Sequence, residues 1–183
     1  MTHVPDMVEE HRAGAGTVRQ QVEDWDRRIL SRVDAAPRWR ATDLALQGFS
    51  TLARGPGWLA VGGWLGLRGR RRADRVVATL VAAYAGSVLI ALMMKALIDR
   101  PRPDDRTERG STPSGHSLGA AACAAGLAAW RPRMAPAAFS VAVSAAAART
   151  YLRRHNPSDA VIGSVMGAAL GLGCAGAVRW WRH

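Results

Sequence analysis

Residues 76–94 read VVATLVAAYAGSVLIALMM and contain no charged side chain over 19 positions. Residues 160–178, AVIGSVMGAALGLGCAGAV, form a second uncharged run of the same length. A helix needs about 20 apolar residues to cross the hydrocarbon core of a bilayer. Both runs therefore predict membrane-spanning helices, because a helix satisfies its own backbone hydrogen bonds in lipid.

Shorter apolar segments lie around these two runs. They occupy residues 42–52, 58–67, 118–130 and 134–151, and Gly55-Pro56-Gly57 separates the first two. We expect an all-α, multi-pass transmembrane helical bundle with about five membrane helices. No β-hairpin signal competes with this interpretation.

The N-terminal segment differs from the rest of the chain in its charge. Residues 1–19 are polar and we expect them to be mobile. Apolar residues recur at helical spacing over 18–33, which predicts an amphipathic helix that lies on the membrane or packs on the domain. Acidic Asp6, Glu9 and Glu10 stand where a cleavable signal peptide would need an apolar region. We divide the chain into this segment, 1–40, and a membrane domain, 41–183.

The composition excludes several classes of protein. The 183 residues carry a formal net charge of +11, which could indicate nucleic-acid binding, but the long apolar runs argue against it. Cys123 and Cys174 lie inside apolar runs and are expected to pack there as small residues. The chain shows no cluster of Cys and His with metal-ligand spacing, so we expect no metal and no cofactor.

Basic turns and polar clusters alternate along the helices. Arginines crowd residues 68–75 and the turn Arg131-Pro132-Arg133, and short basic loops stay in the cytoplasm. Three polar clusters, at 95–103, 113–116 and 149–159, lie at the helix ends opposite to these basic turns. All three are therefore predicted on one face of the cell (inner) membrane, the extracytoplasmic one.

Two further patterns concern how the helices sit in lipid and against each other. Trp130, Trp180 and Trp181 flank the basic ends, where an aromatic belt is expected. Gly163, Gly167 and Gly171 form a small-residue stripe for close helix packing, within the bundle or in a homodimer. Packing within the bundle is the simpler interpretation.

The polar clusters have the chemistry of a phosphate site. Lys95, Arg102 and Arg149 are cations, and Lys95 is the only lysine among 25 basic residues. Ser114 and Gly115 stand where a helix begins, so its first N–H groups can bind an anion. A phosphoryl group needs such cations and donors as charge develops in its transition state.

The histidines and the carboxylate complete a reaction scheme. His155 and Asp159 are four residues apart, so the carboxylate could bond one imidazole nitrogen and leave the other free to attack phosphorus. His116 would then protonate the leaving alkoxide. Each residue alone has a structural explanation: Asp159 as a helix cap, Lys95 and Arg149 as snorkelling interfacial cations, and His116 as a hydrogen-bonded interfacial histidine. Their joint spacing favours a catalytic site.

These residues resemble the motifs of the type-2 phosphatidic acid phosphatase superfamily, also called lipid phosphate phosphatases. Its K-x6-RP motif matches at Lys95, Arg102 and Pro103, its PSGH motif at 113–116, and its R-x5-H-x3-D motif at 149–159. Ala148 stands where the family usually has Ser. The resemblance covers residues 40–180 and is to small bacterial members of the family. It implies a metal-independent phosphatase with a histidine nucleophile and a lipid phosphate as partner.

The resemblance leaves the substrate and two other functions open. Candidate substrates are phosphatidic acid, phosphatidylglycerol phosphate, polyprenyl phosphates or diphosphates, and polyprenyl-phosphoryl-pentose phosphate. Vanadate-dependent haloperoxidases share the constellation, although those enzymes are soluble. A non-catalytic protein that binds anionic lipid through its arginines is the third possibility.

Overall fold

The computed structural model describes residues 4–68, 73–98, 100–104 and 110–181. Within these ranges the regular structure is entirely helical, which confirms the all-α prediction. The α-helices are α1 (Val4–Asp34), α2 (Arg40–Arg54), α3 (Pro56–Leu67), α4 (Ala73–Leu97), α5 (Gly115–Trp130), α6 (Ala135–Tyr151) and α7 (Pro157–Trp181), with a 3-10 turn at Pro132–Met134. The arginines at positions 70–72, which belong to the basic loop predicted to lie in the cytoplasm, are outside the described residues.

The chain divides into two compact units, Met1–Pro37 and Arg38–His183. The first unit is α1, which begins at Val4 and not near residue 18. The mobility expected of residues 1–19 stays a prediction, because a helical backbone from Val4 onward does not test it.

In the second unit, α5 is the central helix. It contacts α2, α4, α6 and α7, and nearly every residue from Gly115 to Leu127 is buried. Eleven of its 16 residues are Gly, Ala or Ser. Small side chains let four helices approach one axis closely, which a helix of Leu and Phe would prevent.

The glycine stripe of α7 packs against α5. A Cβ at Gly163 would lie 2.7 Å from the Ser114 carbonyl oxygen, and Cβ atoms at Gly167 and Gly171 would overlap the carbonyl oxygens of Leu118 and Ala122. This contact confirms the interpretation that the stripe packs within the bundle. Since α5 covers it, the stripe is not available to a second copy of the chain.

The outer surface of the bundle is apolar. Helices α4 and α7 are long and apolar enough to cross a membrane, and both expose large apolar side chains, including Leu89, Leu92, Val165 and Leu172. Helices α5 and α6 have 16 and 17 residues, which corresponds to about 25 Å of helix. These surfaces indicate a membrane location, and the number of complete passes stays a prediction.

Helices α2 and α3 are two pieces separated at Gly55. The backbone of Gly55 lies against Tyr84 of α4, so that a Cβ there would overlap the aromatic ring. Pro56 then occupies the first position of α3, where its missing N–H costs no helical hydrogen bond. The break predicted from Gly55-Pro56-Gly57 therefore lies where the chain passes closest to α4.

Trp130 lies beside the basic helix ends, as expected, and makes contacts that the sequence did not predict. Its indole Nε1 donates to Thr79 Oγ1 at 2.9 Å, and the guanidinium groups of Arg75 and Arg179 lie 6.0 and 4.8 Å from its ring centre. Trp130 therefore joins α4, α5 and α7 within the bundle, whereas Trp180 and Trp181 are exposed as a belt requires. We call the residues Arg75, Thr79, Trp130 and Arg179 the tryptophan clamp.

Candidate active site

A pocket of about 110 Å³ lies where α4 and α6 end and where α5 and α7 begin. Six of the eight predicted site residues line it: Lys95, Arg102, Gly115, His116, Arg149 and His155. The remaining lining residues are Arg54, Val88, Ala91 and Leu92. The three sequence motifs thus meet at one end of the bundle, with an apolar wall from α4 on one side.

Arg149 is held by a residue outside the motifs. Its Nη1 atom donates to the Gln47 Oε1 atom on α2 at 2.9 Å. The side chain is buried, and its Nε atom has no hydrogen-bond partner in the described part of the chain. A buried donor of this kind is costly unless something pairs with it, so an anion in the pocket would stabilise the arrangement.

The beginning of α5 supplies Gly115 and His116 to the pocket. The first N–H groups of a helix have no acceptor within the helix and carry the positive end of its dipole. The peptide bond between Thr112 and Pro113, just before this turn, is cis. Gly115 lies against Ala91 of α4, where a side chain would narrow the space between the two helices.

Ser114 does not line the pocket. It is the N-cap of α5, where its Oγ atom accepts from Ser117 Oγ at 3.0 Å and from Ser117 N at 3.4 Å. Its own backbone N–H donates to the Asp159 carbonyl oxygen at 3.1 Å. Its place behind Gly115 is that of a residue that shapes the helix start, and direct phosphate binding by Ser114 stays a prediction without support from this geometry.

His155 lies in the turn between α6 and α7, outside the two candidate membrane spans, with 2 % of its surface exposed. Its Nδ1 atom lies 2.8 Å from the Ser111 carbonyl oxygen. A carbonyl can only accept, so Nδ1 carries the proton and Nε2 keeps the free lone pair. Burial, followed by the charge of Arg149, lowers the pKa of His155 from 6.5 to about 4. The imidazole is therefore neutral at pH 7, as a nucleophile must be.

Asp159 is fully buried and does not line the pocket. Its carboxylate accepts hydrogen bonds from Arg100 Nη1 at 2.6 Å, from the hydroxyl groups of Ser111 and Thr112, and from Asn156 at 3.0 Å. The expected direct bond between Asp159 and the imidazole is therefore wrong, because the Ser111 carbonyl occupies that place. Asp159 is connected to His155 through Ser111, whose hydroxyl donates to the carboxylate and whose carbonyl oxygen lies against the imidazole Nδ1 atom.

Several residues of the site were not predicted from the sequence. Gln47 and Arg54 lie on α2, and Arg100, Ser111 and Thr112 bind Asp159. Gln47 and Arg54 are seven residues apart, which places them on one face of a helix two turns apart. That spacing could have predicted that both side chains lie on the same side of α2. The contacts of Ser111 and Thr112 with Asp159 could not be predicted in this way, because they join residues that are at least 47 positions apart in the sequence.

The fold is similar to the folds of two solved structures. One is the first transmembrane PAP2 type phosphatidylglycerolphosphate phosphatase from Bacillus subtilis, with 22 % identity, a TM-score of 0.68 and 87 % of each chain covered. The other is LpxE from Aquifex aeolicus, with 21 % identity, a TM-score of 0.66, and 80 % of this chain and 92 % of that chain covered. The sequence matched none of the curated proteins with which it was compared.

The family assignment comes from the second half of the chain. Residues 76–183 match the family model described as the PAP2 superfamily. The matched range begins in α4 and includes all three sequence motifs. It contains Asp159 and six of the seven pocket residues that carry a cation, an imidazole or the helix start. Since this range is more than half of the chain, the protein belongs to the PAP2 superfamily.

Proposed function

We propose that the domain of residues 41–183 hydrolyses a lipid phosphate monoester or diphosphate through a phosphohistidine intermediate. One observation carries the proposal: two imidazoles and four cations line a single pocket of about 110 Å³ beside an apolar wall. Such a pocket suits a phosphate ester or diphosphate bound by charge-assisted hydrogen bonds. The family and the fold support a lipid phosphatase in general.

In the first step, the Nε2 lone pair of His155 attacks phosphorus and forms a P–N bond. The bond between phosphorus and the leaving oxygen breaks, and the His116 imidazolium gives that oxygen its proton. The phosphate brings negative charge to His116, which favours the protonated imidazole that this step requires. Lys95, Arg102 and Arg149 stabilise the charge on the phosphoryl oxygens as it builds.

In the second step, His116, now neutral, takes a proton from water, and the hydroxide oxygen attacks phosphorus. The P–N bond breaks, inorganic phosphate leaves, and both histidines return to their starting states. The scheme needs no metal, because the cations and the start of α5 supply the electrostatic stabilisation. Asp159 keeps the Ser111 peptide in place, and this peptide fixes the tautomer of His155 throughout.

The lipid part of the substrate would lie along α4. Val88, Ala91 and Leu92 form the apolar side of the pocket, and Leu92 is 63 % exposed on the outer surface of the bundle. A chain that follows these residues passes directly from the pocket to lipid. Phosphatidic acid, phosphatidylglycerol phosphate, polyprenyl phosphates or diphosphates, and polyprenyl-phosphoryl-pentose phosphate remain the candidate substrates. The basic turns favour a pocket on the extracytoplasmic face.

Phosphate release from these lipids in detergent, with EDTA present, tests the proposal. We expect release by the wild type and its loss in His155→Ala, with a base-stable, acid-labile phosphoprotein trapped from the wild type only. Full activity of His155→Ala would refute the nucleophile. Inhibition by EDTA would contradict the metal-free scheme, and halogenation with added vanadate would favour the haloperoxidase alternative.

A further inference from the structure

We propose that Arg54 binds a second phosphoryl group and gives the enzyme a preference for terminal diphosphates over monophosphates. The inference rests on the proposed function of the pocket. Arg54 is the last residue of α2, and it lies outside the three motifs and outside the range 76–183 that the family model matches. It nevertheless lines the same pocket as Lys95 and His116.

The end of α2 is built to hold Arg54 beside the pocket. Gly119 of α5 lies directly under it, so that a Cβ there would overlap the Arg54 carbonyl oxygen and come within 3.1 Å of its Cγ atom. The Trp58 indole donates to the Ala53 carbonyl oxygen at 2.7 Å, which fixes the turn after α2. Gly55, packed on Tyr84, fixes the same turn from the other side.

Nothing in the described part of the chain pairs with the Nε atom of Arg54, although that atom is buried. The positive charge of Arg54 acts on both His116 and Arg149, so it lies within electrostatic reach of the reacting groups. None of the described residues that line the pocket is a carboxylate. Asp159 cannot neutralise Arg54, because its oxygens already bind Arg100, Ser111, Thr112 and Asn156.

The number of cations exceeds what one phosphoryl group needs. A transferred phosphoryl group spreads its charge over three equatorial oxygens. Lys95, Arg102 and Arg149, together with the start of α5, can supply a donor to each of these oxygens. A fourth cation on a different helix is then placed for a neighbouring acidic group, and the phosphoryl group next in a diphosphate is the nearest one that a substrate can offer.

Binding of two small anions tests this assignment without requiring turnover. The full chain in detergent is titrated with orthophosphate and with methylenediphosphonate, which is not hydrolysed. We expect Arg54→Gln to weaken diphosphonate binding by about tenfold or more and orthophosphate binding by less than about threefold, the former being the effect of one lost charged hydrogen bond. Arg54→Lys, which keeps the charge, should recover part of the loss.

The matched control is Arg40→Gln, which makes the same change at an exposed arginine at the other end of α2. It should change neither affinity. Equal weakening for both anions by Arg54→Gln would place Arg54 on the scissile phosphate and overturn the proposal, as would no weakening at all. Failure of the wild type to bind either anion would overturn it together with the proposed function.

Kinetics separates the two proposals. With a lipid diphosphate and the matching monophosphate as substrates, Arg54→Gln should lower the ratio of their kcat/KM values by about tenfold. If the anions bind as expected but no lipid phosphate is hydrolysed, the proposed function fails and the assignment of Arg54 stands. If hydrolysis occurs and the ratio does not change, the assignment of Arg54 fails alone.

Discussion

Both ends of the helical bundle contain arginines, but the partners of these arginines differ between the two ends. In the tryptophan clamp, Arg75 and Arg179 lie over the ring of Trp130, and Arg179 also donates to the Ala129 carbonyl oxygen. The guanidinium groups of the clamp therefore have an aromatic ring and a backbone carbonyl oxygen as partners. Contacts between a guanidinium and an aromatic ring hold three helices together at this end.

At the pocket end, Arg54 and Arg149 each keep a buried Nε atom without a partner among the described residues. The charges of Arg54, Arg102 and Arg154 act on Arg149, and the carboxylate of Asp104, which pairs with Arg154, opposes them in part. The contrast shows that neither the residue type nor the position at a helix end reveals which interactions an arginine makes. Arg179 contacts an aromatic ring and a backbone carbonyl oxygen, whereas Arg149 donates to Gln47 and lines the pocket.

Exchanging one arginine at each end for Gln should give opposite results. Arg149→Gln removes a cation that lines the pocket. If this cation binds the phosphoryl oxygens as proposed, we expect phosphate release to fall by about 10²–10³-fold. Its unfolding midpoint should stay the same or rise, because the folded state loses repulsion between like charges. Activity in detergent and thermal unfolding of the same samples measure both quantities.

Arg179→Gln is the matched change in the clamp. It should lower the free energy of unfolding by about 1 kcal/mol, the typical strength of an exposed contact between Arg and Trp. Activity should remain near the wild-type value because Arg179 lies at the far end of α7. If this variant lost activity but not stability, the clamp end would not serve stability alone, and the contrast between the two ends would be wrong.

The glycine stripe connects the two ends, so a change there should affect both. Gly167→Ala places a Cβ against the Leu118 carbonyl oxygen, and we expect the shift of α7 to cost about 2–3 kcal/mol of stability. Activity should fall as well, since the same helix begins at the pocket. Gly173→Ala, on the same helix with open space around it, is the control and should be neutral or stabilising.

The smallest expected effect is on the pH dependence of the free energy of unfolding. The unfolded chain protonates His155 near pH 6.5, whereas the folded chain does so only near pH 4. Between these values the unfolded state binds more protons, so stability falls as the pH falls. From pH 7.5 to 5.5 the wild type should lose about 1 kcal/mol more than His155→Asn. Equal losses in the two proteins would show that the imidazole is not buried as the structure has it.

The sequence predicted most of the fold because its signals were local. The uncharged runs, the Gly55 break and the polar N-terminal helix are all visible within short windows, and the predicted helices agree with the observed ones to within a few residues at most ends. The exception is α1, which was predicted from about residue 18 and begins at Val4.

The pocket was predictable only in part, for a physical reason. Lys95, His116 and His155 belong to spaced motifs, and their convergence follows from the alternation of helix ends. The partner of the His155 Nδ1 atom is a backbone carbonyl, which every residue carries and no sequence pattern marks. Gln47 and Arg54 lie on a helix that was predicted only as a short apolar segment, and its packing against α5 and α6 places them at the site.

The carboxylate of Asp159 binds residues 100, 111, 112 and 156, which come from three separate stretches of the chain. Residue 159 is the last of these to be synthesised by the ribosome. A nascent chain that stops before α7 therefore lacks the group that holds the Ser111 peptide against His155. Hydrolytic competence would then appear only late in biosynthesis, after the final helix has joined the others in the bilayer.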